Sequence, residues 1–555
     1  METRINNTKI DGELFANMVR SGAINLEANR KIVNDLNVFP IPDGDTGDNM
    51  YMTIDSGAAA LSKVIDKGLG SAASAVANGM LLGARGNSGV ILSRIFAGIA
   101  RGLEGVDQAD IPTLSHAFEV GVDEAYRAVS VPVEGTILTV YKDAVRFAAS
   151  RITESSSIKS FFDDFTAELR LSLDRTPELL AVLKESGVVD SGGAGFIYIA
   201  EGMKHAIEGY SADEFSSHKA ESKQQANIDL FTEDSELEFG YCTEFLLRLQ
   251  RSKVDLDHFD MNAFKEHLNA VGESVVAFRD GSIVKAHVHT MKPGDIFNYC
   301  QQFGEFLTVK VENMTLQHNE TTVRNRFTVA APKPHKAYGI VSVAAGDGIK
   351  TTFYSLGCDW VIEGGQSMNP SAEDFIKAFE SINADTILVF PNNGNVILTA
   401  KQAAGLYKNA DIRIVPTKTI GEGYAAISML DTSSNDTEQI LAEQQEIIEN
   451  VVTGAVSQAS RDTVKNGVTI TRGDYICFVG DKVFADTKDA NSAALALAEA
   501  NNAGDFDIML IIYGAGVGEE QRSALEAELE SRYKMTETIF IDGGQPIFDY
   551  IMVLE

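Results

Sequence analysis

Between Tyr210 and Asp229 the chain loses every apolar period: Ser211, Ser216, Ser217 and Ser222 lie among charged residues and paired glutamines. Such a stretch has no apolar period that would order it against a core, so it separates what folds before it from what folds after it. A second break, 326–336, carries Pro332 and Pro334 and does the same further on. Three differently patterned segments remain: 1–209, 230–325 and 337–555. The whole chain of 555 residues is too long for one core and suits about three domains.

In the first segment Phe15, Met18, Val19, Gly22, Ala23 and Leu26 recur at helical spacing. That helix leads into a loop, Asn37 to Met50, where Pro40 and Pro42 forbid a helix and Gly44 and Gly47 supply turns. The loop concentrates Asp43, Asp45 and Asp48 with the amides of Asn37 and Asn49. These are hard oxygen ligands of the type that holds Mg²⁺ beside nucleotide phosphates; the plain alternative is an Asx-rich surface turn. An EF-hand is a poor fit, because the loop lacks the closing bidentate Glu.

Farther on, Leu82 to Gly89 precedes Leu92, Ile95, Phe96, Ile99 and Leu103 on one helical face, so Ser88 and Gly89 open a helix. Pro132 to Thr139 begins another, and Gly187 to Gly195 reads as a glycine-dense turn. Helix starts attract phosphates through free N–H groups and the helix dipole, whereas close packing is the structural alternative for each glycine-rich start. No Walker A motif competes, since an isoleucine separates Gly348 from Lys350.

The second segment reads β-α-β-β-α-β, a ferredoxin-like order: a strand from Phe239 to Leu249, a helix around Phe264 and Leu268, strands at Ser274–Phe278 and Ile283–His289, a helix from Pro293, and a strand at Leu307–Val311. In that order the first and third strands lie side by side and antiparallel. Cys242 then meets His287 and His289 on the sheet face opposite Phe245, Val284, Ala286 and Val288. Cys with two His is a zinc set with an open fourth position; a small core cysteine and surface histidines are the alternative.

The third segment alternates strand and helix, with strands expected at Gly339–Val343, Trp360–Ile362, Thr386–Phe390, Arg413–Val415, Ile508–Tyr513 and Thr538–Ile541. Glu363 to Pro370 and Pro391 to Asn393 follow strands, where ligands of α/β sheets gather. Gly514 to Gly518 lacks the last glycine of a dinucleotide fingerprint, which argues against NAD. The net charge of −32, from 47 Lys+Arg against 79 Asp+Glu, repels nucleic acid and anionic membrane. Four cysteines are too few for a disulfide framework, and no apolar run nears twenty residues, so the expectation is a soluble cytoplasmic protein without integral membrane association.

The loop at 37–50 closely resembles the metal loop of the ATP-binding L-subunit of dihydroxyacetone kinases, in the variant found in the ATP-binding subunit of bacterial fatty acid kinase. Gly240-Tyr241-Cys242-Thr243-Glu244-Phe245 and His287-Val288-His289-Thr290 resemble that subunit's middle domain, and the last segment its DegV-like domain. The resemblance implies a multidomain chain: an all-α, barrel-like nucleotide-binding domain (1–209), a linker (210–229), an α+β ferredoxin-like middle domain (230–325), a linker (326–336) and an α/β DegV-like domain (337–555). It implies ATP and Mg²⁺ as cofactors, with Asp43 and Asp45 as metal-binding acids. Asn37, Thr46, Asn49, Asn87, Ser88, Gly89, Gly135, Thr136 and Asp190 are implied around the nucleotide, Asn37 standing where dihydroxyacetone kinases have an Asp. Asp48 replaces the family's usual Thr, either tuning the metals or facing water. Cys242, His287 and His289 match residues implicated in zinc binding and function.

The implied reaction transfers the γ-phosphoryl group of ATP to a fatty-acid carboxylate, in service of phospholipid metabolism. A separate fatty-acid-binding DegV-type protein would present the acid, and a homodimer is left open. A glycerone-type small-molecule kinase and a non-catalytic ATP-binding regulatory protein are the alternatives. The linkers suggest that a chain ending near Gly209 still binds Mg–ATP but does not phosphorylate partner-bound fatty acid.

Overall fold

In the computed structural model the described residues are 8–36, 39, 41, 44–64, 68–129, 131–209, 241–256, 259–280, 282–313, 335–366, 368–433 and 436–555. The linker at 210–229 and residues 326–334 of the second lie outside them, as do Asn37 and Asp43. The chain forms two compact units, one from 1–220 with 334–555 and one from 221–333.

The first part of the larger unit is helical: α1 (Gly12–Asn34), α2 (Thr46–Ala60), α3 (Leu69–Gly83), α4 (Gly86–Gly102), α5 (Ile111–Ala128), α6 (Ile137–Ser150), α7 (Ile158–Leu179), α8 (Ala181–Ser186) and α9 (Ser191–Ile207). Two short strands, β1 (Lys9–Asp11) and β2 (Gln108–Asp110), pair antiparallel and fix the start of the chain. Asp11 caps α1 by accepting from the Leu14 N–H at 2.9 Å. The apolar stripe expected on α1 is the face it buries: Phe15, Met18, Val19, Gly22, Ala23 and Leu26, with Val33 beyond. α1 crosses α9 closely because a Cβ on Gly202 would lie 2.3 Å from the Ser21 carbonyl oxygen. Around Phe118 an aromatic cluster of Tyr141, Phe161, Phe162 and Phe165 fills the bundle, and buried Tyr141 donates its hydroxyl to the Phe118 carbonyl at 3.0 Å.

Two helix starts differ from the sequence reading. α4 begins at Gly86, two residues before Ser88. The glycines of 192–195 are the first turn of α9 instead of a turn, because Asp190 caps that helix through the Gly193 N–H at 2.6 Å. Their missing side chains let α9 approach its neighbours: a Cβ on Gly195 would sit 2.7 Å from the Met50 sulfur.

The last part of the larger unit holds two sheets. β7 (Lys336–Ala344), β8 (Trp360–Glu363), β9 (Ala384–Phe390) and β10 (Asp411–Ile414) form a parallel sheet in the order β10-β9-β7-β8. Helices α12 (Asp347–Ser355), α13 (Ala372–Glu380), α14 (Ile397–Leu406), α15 (Ile420–Ser428) and α16 (Thr437–Asn450) connect or follow these strands. The second sheet is mixed, with order β15-β14-β11-β18-β16-β17. It comprises β11 (Val452–Gln458), β14 (Tyr475–Val479), β15 (Lys482–Thr487), β16 (Ile508–Tyr513), β17 (Glu537–Asp542) and β18 (Tyr550–Leu554). The hairpin β12 (Thr463–Lys465) and β13 (Val468–Ile470) and helices α17 (Ala490–Ala500) and α18 (Glu519–Arg532) complete this lobe. All six strands expected in this part are present.

The smaller unit runs β3 (Tyr241–Leu249), α10 (Met261–Val271), β4 (Glu273–Asp280), β5 (Ile283–Thr290), α11 (Pro293–Cys300) and β6 (Gly304–Asn313). Its sheet is antiparallel in the order β4-β5-β3-β6, so the first and third strands are neighbours as read from the sequence. Phe245, Leu247, Val284, Ala286 and Val288 are buried with Phe264 and Leu268 of α10.

Candidate active site

Four helices of the bundle start beside one another. Gly86, at φ +57°, opens α4 against the first turn of α2: a Cβ there would lie 2.5 Å from the Asn49 amide nitrogen. Ser191, the first residue of α9, donates its hydroxyl to Thr46, the first residue of α2, at 3.2 Å. Asp190 then joins α9 to α6, accepting the N–H groups of Gly193 and Ile137. The starts of α4, α2, α9 and α6 are thus linked in that order. Their first-turn N–H groups lack intrahelical partners, although Asn34 and Asp190 accept some of them, and the helix dipoles place partial positive charge at these starts.

Three acids there differ in environment. Asp45 precedes α2, is 7% exposed, and makes no capping bond to its own helix. Asp48 turns instead to α1, bonding the Asn34 amide at 2.6 Å and the Arg30 guanidinium at 3.2 Å, while Asn34 accepts the Gly47 N–H at 2.7 Å. Asp48 therefore braces the loop against α1. Burial pushes the Asp190 carboxyl up to about 6, outweighing the two N–H bonds that favour its charged form.

The loop before α6 is braced too. Gly135, at φ +82°, donates its N–H to Thr139 at 2.8 Å, and Thr139 donates to Glu134 at 2.5 Å. Burial alone raises the Glu134 carboxyl, but bonds from Thr139, Lys142 and Tyr126 reverse this and hold it below the usual range. Thr136 donates to the Val133 carbonyl at 2.8 Å. Gly89 packs on Thr53, since a Cβ would lie 2.4 Å from that hydroxyl, and Ser88 is half-buried in the first turn of α4.

The last part of the chain docks on this region through residues that sequence reasoning missed. Asn369 donates its amide to the Asp45 carboxylate. Arg85 donates to the Asn369 carbonyl at 2.8 Å and faces Asp374 at 3.8 Å, while the Ala372 N–H bonds the Ala84 carbonyl at 3.2 Å. Asn87 donates to Asn395 at 3.1 Å. Gln402, only 3% exposed on α14, donates to the Leu81 carbonyl at 2.7 Å and accepts from Arg94 at 3.1 Å. The loop before Asp45 is held as well: Ile41 is buried with Ala455, Ile476 and Phe478, and Phe39 packs edge-on to Phe478 at 4.8 Å. The only hint in the sequence was that Glu363 to Pro370 follows a strand.

These donors fit a hard divalent cation with phosphates. Asp45 supplies a buried carboxylate, and the side-chain oxygens of Asn87 and Asn369 are buried and accept no bond from any described group. A polar groove lined by Asp163, Arg170, Glu201, Lys204 and Glu208 lies toward the other end of α9, where ion pairs such as Lys204–Asp163 already satisfy its charges.

In the smaller unit, the Cα register sets Cys242 opposite His289 and Glu244 opposite His287. The alternate positions Thr243, Phe245, Val284, Ala286 and Val288 are buried, which places Cys242, His287 and His289 at positions of the other sheet face. Glu312 of β6 is the partner of Cys242 on its second side. The described side chains include no three-residue His, Cys, Asp or Glu metal cluster, and those of Cys242, His287 and His289 are not among them.

Residues 40–205 match the DAK2 domain, 238–321 the FakA-like middle domain of fatty acid kinase, and 339–555 the FakA-like C-terminal domain of the same kinase. A helical DAK2-like part joined to this α/β part is a kinase-type subunit. Protein YloV of Bacillus subtilis is 39% identical over 560 residues, covering 98% of this chain and 99% of its own length. Uncharacterized protein SH1689 of Staphylococcus haemolyticus is 37% identical over 558 residues, covering 99% of this chain and 100% of its own. The chain belongs to the FakA-like family of fatty acid kinase components. A DegV family protein from Thermus thermophilus, described by its fatty acid binding, aligns over 40% of this chain and 99% of its own at 14% identity and a TM-score of 0.30. A likeness of that degree carries no argument.

Proposed function

We propose that this chain is the ATP-binding catalytic subunit of a fatty acid kinase, moving the γ-phosphoryl group of ATP to a fatty-acid carboxylate and yielding acyl-phosphate and ADP. The observation that supports it best is the meeting of four helix starts beside buried Asp45, within the segment that matches the DAK2 domain. First-turn N–H groups of Asn87 and Ser88, with those of the α6 and α9 starts that Asp190 does not take, bind phosphate oxygens, and Gly89, Gly135, Thr136, Thr46 and Asn49 shape the cradle. Asp43 and Asp45 are the proposed Mg²⁺ ligands, and Asn37 is proposed to serve the nucleotide. Bound there, Mg²⁺ neutralises charge on the transferring group. Asp190 keeps two helix starts aimed at the same place. A carboxylate acceptor is already anionic and needs no general base, so this chain's work is positioning and charge neutralisation.

In this reading a separate DegV-type fatty-acid-binding protein presents the acid in the cytoplasm, and Cys242, His287 and His289 hold zinc or act directly. Among the described residues no helix is long and apolar enough to cross a membrane. The test is ADP release by the purified chain with Mg–ATP, fatty acid and a lipid-loaded binding protein. Dependence on all three supports the reading. Turnover on glycerone alone would make the chain a small-molecule kinase, and ATP binding without turnover under any of these conditions would make it a regulator.

A further inference from the structure

We infer that Asn369, from the α/β part of the chain, belongs to the metal site and makes that site sensitive to docking of the α/β part on the bundle; this rests on the Mg–ATP reading given above. Asn369 is 1% exposed, and its carboxamide meets the Asp45 carboxylate. An ionised carboxylate only accepts hydrogen bonds, so the NH₂ end must face it when no cation is present. That leaves the other end, Oδ1, buried without a donor among the described residues, an arrangement that costs free energy unless something electropositive fills it at some stage of the working cycle. A carbonyl oxygen beside a carboxylate is a normal hard-cation pair.

The surroundings hold this carboxamide in place. The Arg85 guanidinium, at the start of α4, grips the Asn369 carbonyl at 2.8 Å, and the Ala372 N–H ties the same loop to Ala84. A Cβ on Gly86 would lie 3.3 Å from the Asn369 amide nitrogen and 2.5 Å from that of Asn49, so the glycine leaves room for both amides beside Asp45. Asn369 therefore bonds Asp45 through Nδ2 in the cation-free protein and offers Oδ1 once a cation takes over that carboxylate. Cation binding and docking of the α/β part then favour each other, because one carboxamide serves both.

The test uses full-length wild type, Asn369→Ala and Asn369→Asp. Mg²⁺ alone is the probe in thermal unfolding, and Mg–ATP is the probe in calorimetry. Asn369→Asp sets two carboxylates side by side, so its Tm should fall without cation and recover with Mg²⁺, which screens their repulsion only if it binds between them. Asn369→Ala should weaken Mg–ATP about tenfold, the usual scale for loss of a group that supports a metal site. A Tm loss in Asn369→Asp that Mg²⁺ does not reverse, or Mg–ATP affinity of Asn369→Ala within experimental error of wild type, would make Asn369 a packing contact and overturn the inference. If Asn369→Ala fails to fold, the Mg²⁺ response of Asn369→Asp decides alone. Failure of the wild type to bind Mg–ATP is a different result, which removes the nucleotide reading itself.

Discussion

Replacing Asp190 with asparagine is expected to flatten the pH dependence of the protein's stability. Burial lifts this carboxyl from 3.8 to about 6 despite the N–H bonds it accepts from Gly193 and Ile137. Between those values the folded protein keeps a proton that the unfolded chain has lost, so stability falls as pH rises. The contribution is fully present below the unfolded pKa and is lost by the time pH passes the folded one. The difference between 3.8 and about 6 corresponds to ~3 kcal/mol, an upper figure because Asp190 keeps part of its surface in water. Asparagine still caps α9 but carries no titrating proton, and any cost of its extra N–H₂ is the same at every pH. Denaturant unfolding of the nucleotide-free protein, stepped from about pH 4 to about pH 7, should show wild type losing up to ~3 kcal/mol relative to Asp190→Asn. Parallel curves would mean that the carboxyl titrates as an exposed one does, and would refute the claim that burial governs the junction of α6 and α9.

Asn at Asp43 or Asp45 keeps side-chain size while removing charge, so each variant should fold near normally and lose kcat by orders of magnitude; wild-type turnover in either would refute the metal assignment. Untagged protein is expected to carry about one zinc per chain, and Cys242→Ser to lose most of it, as read by elemental analysis. Zinc retained by that variant would refute the Cys and His set. Docking of Ile41 among Ala455, Ile476 and Phe478 changes the expectation for truncation: a chain ending near Gly209 loses the partners of both Ile41 and Asp45, so its Mg–ATP affinity should fall. In the full chain Ile41→Ala should cost about 2–5 kcal/mol in unfolding free energy and weaken Mg–ATP in the same direction; full affinity in the truncated chain would show that the loop needs no clamp.

Much of the bundle was legible because burial imposes a period. The stripe from Phe15 to Leu26 is the buried face of α1; outside the bundle, in the mixed sheet, Ile508–Tyr513 is a strand with the same limits as its apolar run. The Cα pairing of Cys242 with His289 was legible because the strand order makes β3 and β5 antiparallel neighbours and the alternation of buried residues limits their register. Local glycine density misled at 192–195, where close helix packing and a turn leave the same trace in sequence. Docking was not legible. Gln402 looks like a surface residue on α14, yet it is buried by a bond to Leu81, and Asn369 reaches Asp45 across 324 positions. Contacts between such distant segments impose no period on either one. The mixed sheet was partly hidden for the same reason: β18, at the end of the chain, inserts between β11 and β16, a choice of partners that no local pattern dictates.

Trapping the product with hydroxylamine shows whether a carboxylate receives the phosphoryl group. Acyl-phosphates react with hydroxylamine to give hydroxamates, whereas phosphate esters of alcohols do not. With Mg–ATP, fatty acid and its binding protein, the chain should form fatty hydroxamate in step with ADP, and Asp45→Asn should form almost none. ADP released without hydroxamate would mean that the phosphoryl group goes to another acceptor, and hydroxamate formed equally by Asp45→Asn would mean that Asp45 holds no metal.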